Sequence, residues 1–579
     1  MVKTMNARMM RGGGRKLSFE KQKLEKGVVK KVLKRLWKYL KKHPFYLMVV
    51  CFSILLASAF NLTLPIILKI VIDDYIKVET INLQAILLIV GGLVISSIGV
   101  SITDYFQQFL MAKIASLASK EIRKDAFSKL LKLPISYFDK NPHGVIMSNL
   151  TNDVETVSNA LSNVVPQFIK ATITIIGAFV LMLITSWQLS IVAFAVIPIM
   201  IFGTIFITKK ATKYFETQQI KLGTINGIVK ENITGLKVVK LYNQEENMKE
   251  KFGIANDQLR KASFQGQMFS GLMMPLIRLI DNLLYGLLVS IGAYLNINYG
   301  LVTVGQIQAM TNYAKLSTRP INDIAQTLNI IQIAIVGGDR IFSIIDEMDE
   351  YQNEKNNKLP SIKGNIEFDH VSFGYDLDKK VLHDINFKAP AGETIAIVGP
   401  TGGGKTTIIN LLMRFYDPSL GVIRLDGIDI SSLSKDYLRS KIGIVLQTTY
   451  LFRGTILENI KYGRSEATFE EVVEACKLAQ VHDIIDRLPK KYETRVKEGG
   501  SNFSHGERQL LSIARTILSN PSILILDEAT SSVDTRTETK IQTSMAMLVK
   551  DRTSFIIAHR LQTIKNANTI LVIKDGKII

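Results

Sequence analysis

The stretch Gly399–Thr406, GPTGGGKT, has the spacing G-x-x-x-x-G-K-[ST], and that spacing suits one kind of chemistry. Gly399, Gly402, Gly403 and Gly404, with Pro400 and Thr401 between them, let the backbone fold tightly and turn N–H groups toward phosphate oxygens. A helix starting near Lys405 and running on through Thr407 adds the positive end of its dipole. Lys405 is placed to reach the β- and γ-phosphates of ATP, and the hydroxyl of Thr406 to sit on Mg²⁺. A second segment strengthens the reading. Ile523–Leu526 reads as a short buried strand, followed at once by Asp527 and Glu528. Asp527 at a strand end holds Mg²⁺, directly or through water, and Glu528 orients or deprotonates the attacking water.

These groups need a scaffold, and its character changes along the chain. From about Gly364, IEFDHVSFGY and KVLHDINFKAP alternate as strands do, and TIAIVGPTGGGKTTIINLLMRF gives a strand, a glycine loop and a helix. The expected fold of 364–579 is therefore an α/β P-loop NTPase domain, joined by a linker at 346–363 to what precedes it.

The first part is built for a bilayer. The chain of 579 residues combines a net charge of +20 with 47% hydrophobic residues, a pairing rare in one soluble domain. A spanning helix needs roughly 20 apolar residues. Tyr46–Leu68, Thr80–Thr103, Ala171–Thr208 and Asn282–Ala314 carry no charge. The polar break TSWQLS at Thr185–Ser190 divides the third run, and NINYG at Asn296–Gly300 turns the fourth. With a fifth helix begun near Phe264 and a sixth near Val302, six spans are expected over 29–345. The intervening segments Met111–Lys170 and Lys209–Lys261 are long, helical in pattern and rich in Lys and Arg, which places them and both chain ends in the cytoplasm. Residues 1–28 form a basic, glycine-containing tail. After it, KKVLKRLWKYLKK reads as an amphipathic helix lying in the cytoplasmic interface. The cysteines Cys51 and Cys476 are far apart and read as small apolar side chains.

Within the fifth expected span, Arg278 and Asp281 stand three residues apart on one helix face. They form either a self-neutralising pair that positions helices or part of a substrate path. Lys315, Arg319 and Asp323 fall on the cytoplasmic half of the sixth, where Pro320 is expected to bend the helix.

The ordered set of motifs resembles the ABC transporter superfamily, specifically exporters that fuse six membrane helices to one nucleotide-binding domain. The resemblance runs from about Lys30 nearly to the end of the chain. It implies that Tyr375 in VSFGY stacks on adenine and that Gln447 in VLQTTYLF contacts Mg²⁺. It implies that Asp534 in SSVD belongs to the D-loop and that the switch residue His559 in IIAHR contacts the γ-phosphate. TRVKEGG takes the place of the X-loop, with Glu498 matching one of its two usual glutamates and Arg495 standing where the other would be. Coupling tips are implied near Ser136–Gly144, docking close to Gln447, and near Val238–Glu246, the latter crossing to a second subunit.

The resemblance further implies a dimer in which each ATP lies between one phosphate loop and the other subunit's signature. Here the signature is FSHGE: Ser504 and Gly506 are the donors, His505 replaces a glycine and Glu507 a glutamine. That departure, beside an otherwise complete set of residues, leads to the expectation of a heterodimeric multidrug-type exporter whose partner is a different chain with a weak catalytic site. A homodimeric exporter of lipid or peptide and an ATP-gated regulatory module are the alternatives. The expected partners are that subunit, the lipid bilayer of a bacterial plasma membrane and a small amphipathic, drug- or lipid-like substrate. A soluble ATPase acting on nucleic acid is argued against by the apolar runs.

Overall fold

The computed structural model describes residues 26–76, 83–351, 362–376, 379–527, 534–557 and 565–579. Two compact units are present. The first comprises residues up to Leu131 together with Gly144–Glu347, and the second Lys132–His143 together with Met348–Ile579.

The first unit is helical throughout. A short helix α1 (Lys26–Leu40) precedes α2 (Pro44–Ile70), and α3 (Leu83–Leu130) follows. The short helix α4 (Ile135–Lys140) belongs to the second unit; α5 (His143–Ser148) and α6 (Val154–Asn159) lead back to α7 (Val165–Thr185) in the first. Then come α8 (Trp187–Thr234), α9 (Leu236–Leu241), α10 (Glu245–Gly271), α11 (Met273–Tyr299) and α12 (Val304–Asp346). The turns fall where the sequence breaks. Ser186 is extended at φ −161° and caps α8, and Gly300 ends α11 in the left-handed conformation at φ 61°. Buried side chains form two clusters. Ile114, Ile122, Val157 and Phe342 center one, and Met182, Leu189, Leu288 and Tyr313 the other.

Among the described residues five helices, not six, are long and apolar enough to cross a membrane: Pro44–Tyr75, Leu87–Leu130, His143–Thr185, Trp187–Thr234 and Glu245–Tyr299. The expectation of six is corrected at α12. It is a continuous helix, with Pro320 inside it, but Gln306, Gln308, Asn312 and Lys315 interrupt its apolar run.

In the second unit, β1 (Ile366–Phe373), β2 (Leu382–Ala389), β4 (Leu420–Leu425) and β5 (Ile428–Asp429) form an antiparallel sheet in the order β2-β1-β4-β5. The main sheet holds β3 (Thr394–Val398), β6 (Ile442–Val445), β9 (Ile523–Asp527), β10 (Thr553–Ile557), β11 (Thr569–Lys574) and β12 (Lys577–Ile578), in the order β12-β11-β3-β10-β9-β6. All its pairs except β11–β12 are parallel. Its strands are therefore nearly continuous apolar runs, as ILILD and TSFII show. A ribbon of β7 (Gly454–Thr455) and β8 (Arg495–Val496) borders a helical region. The helices here are α13 (Lys405–Leu412), α14 (Lys435–Ser440), α15 (Ile456–Lys461), α16 (Phe469–Leu478), α17 (His482–Asp486), α18 (His505–Ser519) and α19 (Thr535–Val549). Cys476 is fully buried, which pushes its thiol up to about 12 and leaves it unreactive; Cys51 is exposed.

Candidate ATP site

The parallel strands β3, β10, β9 and β6 end along one edge of the main sheet, the place where such sheets bind ligands. The phosphate loop leaves β3 there. Gly399, Gly402 and Gly404 have φ of 150°, 83° and 109°, all unfavourable for other residues. At Gly399 a Cβ would also collide with the carbonyl oxygen of Ile573, and at Gly404 it would lie 2.6 Å from Leu382. Gly403 N–H donates to the Pro400 carbonyl at 3.1 Å and closes the turn, with Thr401 exposed at its tip. Lys405 is buried, and its ammonium donates to the carbonyls of Gly399 at 2.8 Å and Pro400 at 2.9 Å. Thr406 is exposed at the mouth of α13 while Thr407 points inward.

Tyr375 stands beside this helix. Its hydroxyl donates to Thr407 Oγ1 at 3.3 Å and accepts from Asn410 Nδ2 at 3.0 Å, so its ring is held while 37% of the residue stays exposed. Tyr416 packs edge-on against it, with ring centers 5.0 Å apart. The Tyr416 hydroxyl donates in turn to the Asp139 carboxylate of α4. Burial, reinforced by the Asp139 bond and charge, pushes the Tyr416 phenol up and keeps it a donor. A chain of contacts thus joins α4 to the aromatic residue at the phosphate-loop helix. Asp139 lies inside the expected coupling tip, Ser136–Gly144, and bonds to Tyr416 there.

Asp527 ends β9, paired in register with Ile557 of β10, and Gln447 is exposed just past the end of β6. Glu528 and His559 lie outside the described residues; in the sequence they come one position after the end of β9 and two positions after the end of β10. Among the described residues no cluster of three or more His, Cys, Asp or Glu could hold a metal. The donors available are instead a hydroxyl, a carboxylate and an amide carbonyl, from Thr406, Asp527 and Gln447. Such a hard-oxygen set fits Mg²⁺ that takes its remaining ligands from phosphate and water.

The signature starts α18. Ser504 is its cap: Ser504 Oγ accepts from Glu507 N–H at 3.2 Å, and Glu507 Oε2 accepts from Ser504 N–H at 2.8 Å. The Glu507 carboxylate is therefore turned back onto its own helix. A glutamine would close the same capping box, so the substitution leaves the cap intact. The Ser504 hydroxyl proton remains available for an outside acceptor, and Gly506 brings no side chain to the helix mouth. His505 is half-buried, with its Nδ1 shielded and without a hydrogen-bond partner among the described residues. Asp534 caps α19 by accepting from Thr537 N–H at 3.0 Å, which holds its carboxyl below the usual range. Of the X-loop residues, Arg495 lies in β8 and Glu498 in a short turn of 3₁₀ helix.

In the first unit Arg278 is exposed and Asp281 half-buried, and no ion pair joins them. The pair expected from their spacing is absent. Helical adjacency brings the Cβ atoms near, but Arg278 turns its long side chain outward. Lys315 lies 5.4 Å from the ring center of Tyr285 on α11. Nothing is described of the side chains of Arg319 and Asp323. An ion pair that sequence reasoning missed joins α3 to α7, Lys170 to Asp104 at 2.6 Å. Its signal was present: Asp104 and Lys170 are the charges that bound two of the uncharged runs, Thr80–Thr103 and Ala171–Thr208. Tyr416, Asn410 and Asp139 were also missed, and only the aromatic YD after α13 hinted at them.

Residues 47–321 match the family model of the ABC transporter transmembrane region, and residues 382–531 match that of the ABC transporter. An uncharacterized ABC transporter ATP-binding protein of Bacillus subtilis, YfiC, is 40% identical over 95% of this chain and 91% of its own length. A fatty acid ABC transporter ATP-binding/permease protein of Mycobacterium bovis is 42% identical over 79% of this chain and 72% of its own. An ATP-dependent lipid A-core flippase of Syntrophus aciditrophicus is 35% identical over 95% and 91%. Among solved structures, a bacterial Atm1-family ABC exporter with ATP bound superposes with a TM-score of 0.74, at 29% identity, over 93% of this chain and 94% of that one. This last match overturns the expectation of a different partner chain with a weak catalytic site. The geometry of Glu507 removes the physical motive for that expectation too, since the carboxylate is engaged as a cap. The chain belongs to the ABC transporter family, as a multi-pass bacterial plasma-membrane exporter that fuses its membrane helices to an ATP-hydrolysing domain.

Proposed function

We propose that two copies of this chain form an exporter that moves lipid-like amphipathic molecules out of the cytoplasmic leaflet at the expense of ATP. The observation that carries the reading is the pairing of an intact phosphate loop with long apolar helices whose polar groups, Arg278, Asp281 and Lys315, lie on α11 and α12. A few cations and an anion among apolar surface suit a molecule with a charged head and a hydrocarbon tail. The fatty acid and lipid A-core relatives agree with that class of substrate.

In this reading Lys405 and the N–H groups of the glycine loop hold the β- and γ-phosphates, and Tyr375 stacks on adenine. Thr406, Gln447 and Asp527 hold Mg²⁺, which neutralises charge on the phosphates. Glu528 orients the attacking water and accepts its proton, and His559 steadies the γ-phosphate. Ser504 and Gly506 of the second copy donate to the same phosphate across the interface. Asp534 supports that contact from the start of α19. The Asp139–Tyr416–Tyr375 chain links closure of the site to movement of the membrane helices.

Reconstitution into proteoliposomes tests this. ATP-dependent movement of a fluorescent-tailed fatty acid or phospholipid between leaflets is expected, and Glu528→Gln should abolish it. Native mass spectrometry of the purified chain should show two copies. ATP turnover with no movement of either lipid probe would sink the substrate class, and a single copy with full ATPase would sink the pairing.

A further inference from the structure

The chain passes between the two units three times, after Leu131, after His143 and after Glu347. The first and third of these crossings follow the long helices α3 and α12. Just beyond them, the two segments are tied together at Glu350. Its N–H donates to the carbonyl of Lys132 at 2.8 Å. Its own carbonyl accepts from the Lys435 ammonium at 3.3 Å. Its carboxylate lies 2.6 Å from the Arg439 guanidinium and 3.6 Å from the Lys435 ammonium, both on α14, and its side chain is only 7% exposed. All of these residues belong to the second unit.

Arg439 carries the connection on. Its Nε donates to the Met413 carbonyl at 3.2 Å and its Nη2 to the Arg414 carbonyl at 3.0 Å. The guanidinium also lies 4.9 Å from the ring center of Phe415. Met413 is the residue on which α13 ends. The last carbonyls of a helix have no partner within it, and a cation is favourable beside them. This helix is the one that follows the phosphate loop, and it is short, Lys405–Leu412. One guanidinium therefore joins the carboxylate of Glu350 to the end of the helix whose start carries Lys405 and Thr406.

We infer that Glu350 is a positioning residue that couples the segments leaving α3 and α12 to the C-terminal end of α13, so that the membrane helices and the phosphate loop change state together. The coupling depends on no particular transported molecule and so goes beyond the proposed lipid substrate. The chemistry of the node favours it over a plain staple. A buried ion pair adds little net stability, because desolvation offsets the attraction, and apolar side chains of the same volume would hold these segments together as well. What the planar guanidinium adds is direction, since its fork fixes where each acceptor stands. If Glu350 shifts, Arg439 either follows it or is left facing Lys435 without the carboxylate between them. If Arg439 follows, it pulls on the Met413 and Arg414 carbonyls, and through them on α13.

The test uses the full-length protein in phosphatidylcholine nanodiscs with no transported molecule added. The chain has two tryptophans, and Trp37→Phe leaves Trp187 as the reporter, exposed at the turn between α7 and α8, the end of these helices away from the basic cytoplasmic segments. Quenching of Trp187 by acrylamide is measured before and after trapping with Mg-ATP and vanadate, and the change is divided by the amount of nucleotide trapped. Glu350→Gln keeps an acceptor for Arg439 but loses the charge that holds it beside Lys435. It should reduce that response at least about threefold, with basal ATPase within about twofold of the parent. Arg439→Lys keeps a cation but loses the fork. It should reduce the response per trapped nucleotide as well, and it decides the matter if Glu350→Gln does not fold. A response equal to the parent's in both variants would overturn the inference and leave Glu350 a staple, seen only in the thermal midpoint. No response in the parent itself would also overturn it, and would count against ATP-driven export by this chain as a whole.

Discussion

Two helices in this chain begin with the same device and end up doing opposite things. At α12, Thr303 accepts from Gln306 N–H and Gln306 Oε1 accepts from Thr303 N–H; at α18, Ser504 and Glu507 do the same. The difference lies in what stands beyond the cap. At α12 the Asp73 carboxylate accepts from the Thr303 hydroxyl and, at 2.8 Å, from Gly305 N–H. Its helix mouth already has its anion. At α18 no such carboxylate among the described residues meets the hydroxyl proton of Ser504 or the N–H of Gly506, and the acidic residue nearby is turned back as the cap. A helix start is an anion site only when its outer donors are left unspent. One helix start closes the structure, and in the proposed function the other is kept for a phosphate that arrives with a second copy.

The largest expected effect is at α18. Ser504→Ala should lower steady-state ATPase at least tenfold, because it removes a donor aimed at the γ-phosphate. Ser504→Thr, which keeps a hydroxyl, should recover most of the activity. Photolabelling with an ATP analogue checks that nucleotide still binds. ATPase within about threefold of the parent in Ser504→Ala would place the phosphate elsewhere and break the comparison.

At α12 the expected loss is of stability rather than turnover. Asp73→Ala leaves the Gly305 N–H without its acceptor, a cost of about 1–2 kcal/mol. Asp73→Asn keeps an acceptor and should cost less than half of that. Gly305→Ala should be worse than either, since its Cβ would lie 2.5 Å from the Lys69 carbonyl oxygen, which is backbone and cannot turn aside. Thermal midpoints of the detergent-extracted protein would rank the three. A tenfold fall in ATPase for Asp73→Asn with an unchanged midpoint would show that this end also works in the cycle.

Only one of these two helix starts was legible in the sequence. FSHGE announces itself beside GPTGGGKT, because a phosphate site needs a short local pattern. Asp73 and Gly305 are far apart in the chain, and nothing in VIDDYI or in TVGQI points to the other. The same holds for Tyr416 and Asp139. The uncharged runs gave the helices, and Ser186 and Gly300 their ends, since backbone geometry at a turn is written locally. The sixth span was misjudged because length without charge was extended to α12, where polar residues break the run. The Arg278–Asp281 pair was misjudged because spacing fixes where two Cβ atoms lie and not where long side chains go.

Another carboxylate that accepts from a hydroxyl sharpens the contrast. Asp139 holds Tyr416 as Asp73 holds Thr303, but its hydroxyl belongs to a ring packed on Tyr375. Tyr416→Phe keeps the ring and removes the bond to α4. It should change the apparent KM for ATP by less than about twofold, because Tyr375 keeps its neighbour. Stimulation of ATPase by transported lipid should fall about two- to fivefold, the order of one net hydrogen bond. Loss of basal and stimulated rates in equal measure would make Tyr416 a support for the adenine pocket and nothing more.

The smallest effect is expected at Glu507, and it tests the idea most directly. A carboxylate at the mouth of an anion site ought to be harmful if it faced the anion. Here Glu507 Oε2 is spent on Ser504 N–H at 2.8 Å, a bond that a glutamine makes equally well. Its charge also lies against the positive end of α18, where an acid is favourable. These two gains offset the repulsion of a phosphate held on the far side of the cap. Glu507→Gln should therefore change kcat and KM for ATP by less than about twofold, or roughly 0.4 kcal/mol. Glu507→Ala, which breaks the box, should lower the rate further than Glu507→Gln does. A gain of fivefold or more in Glu507→Gln would mean that the carboxylate leaves its cap when the two copies close on ATP, and that the helix mouth is less open to anions than its geometry shows.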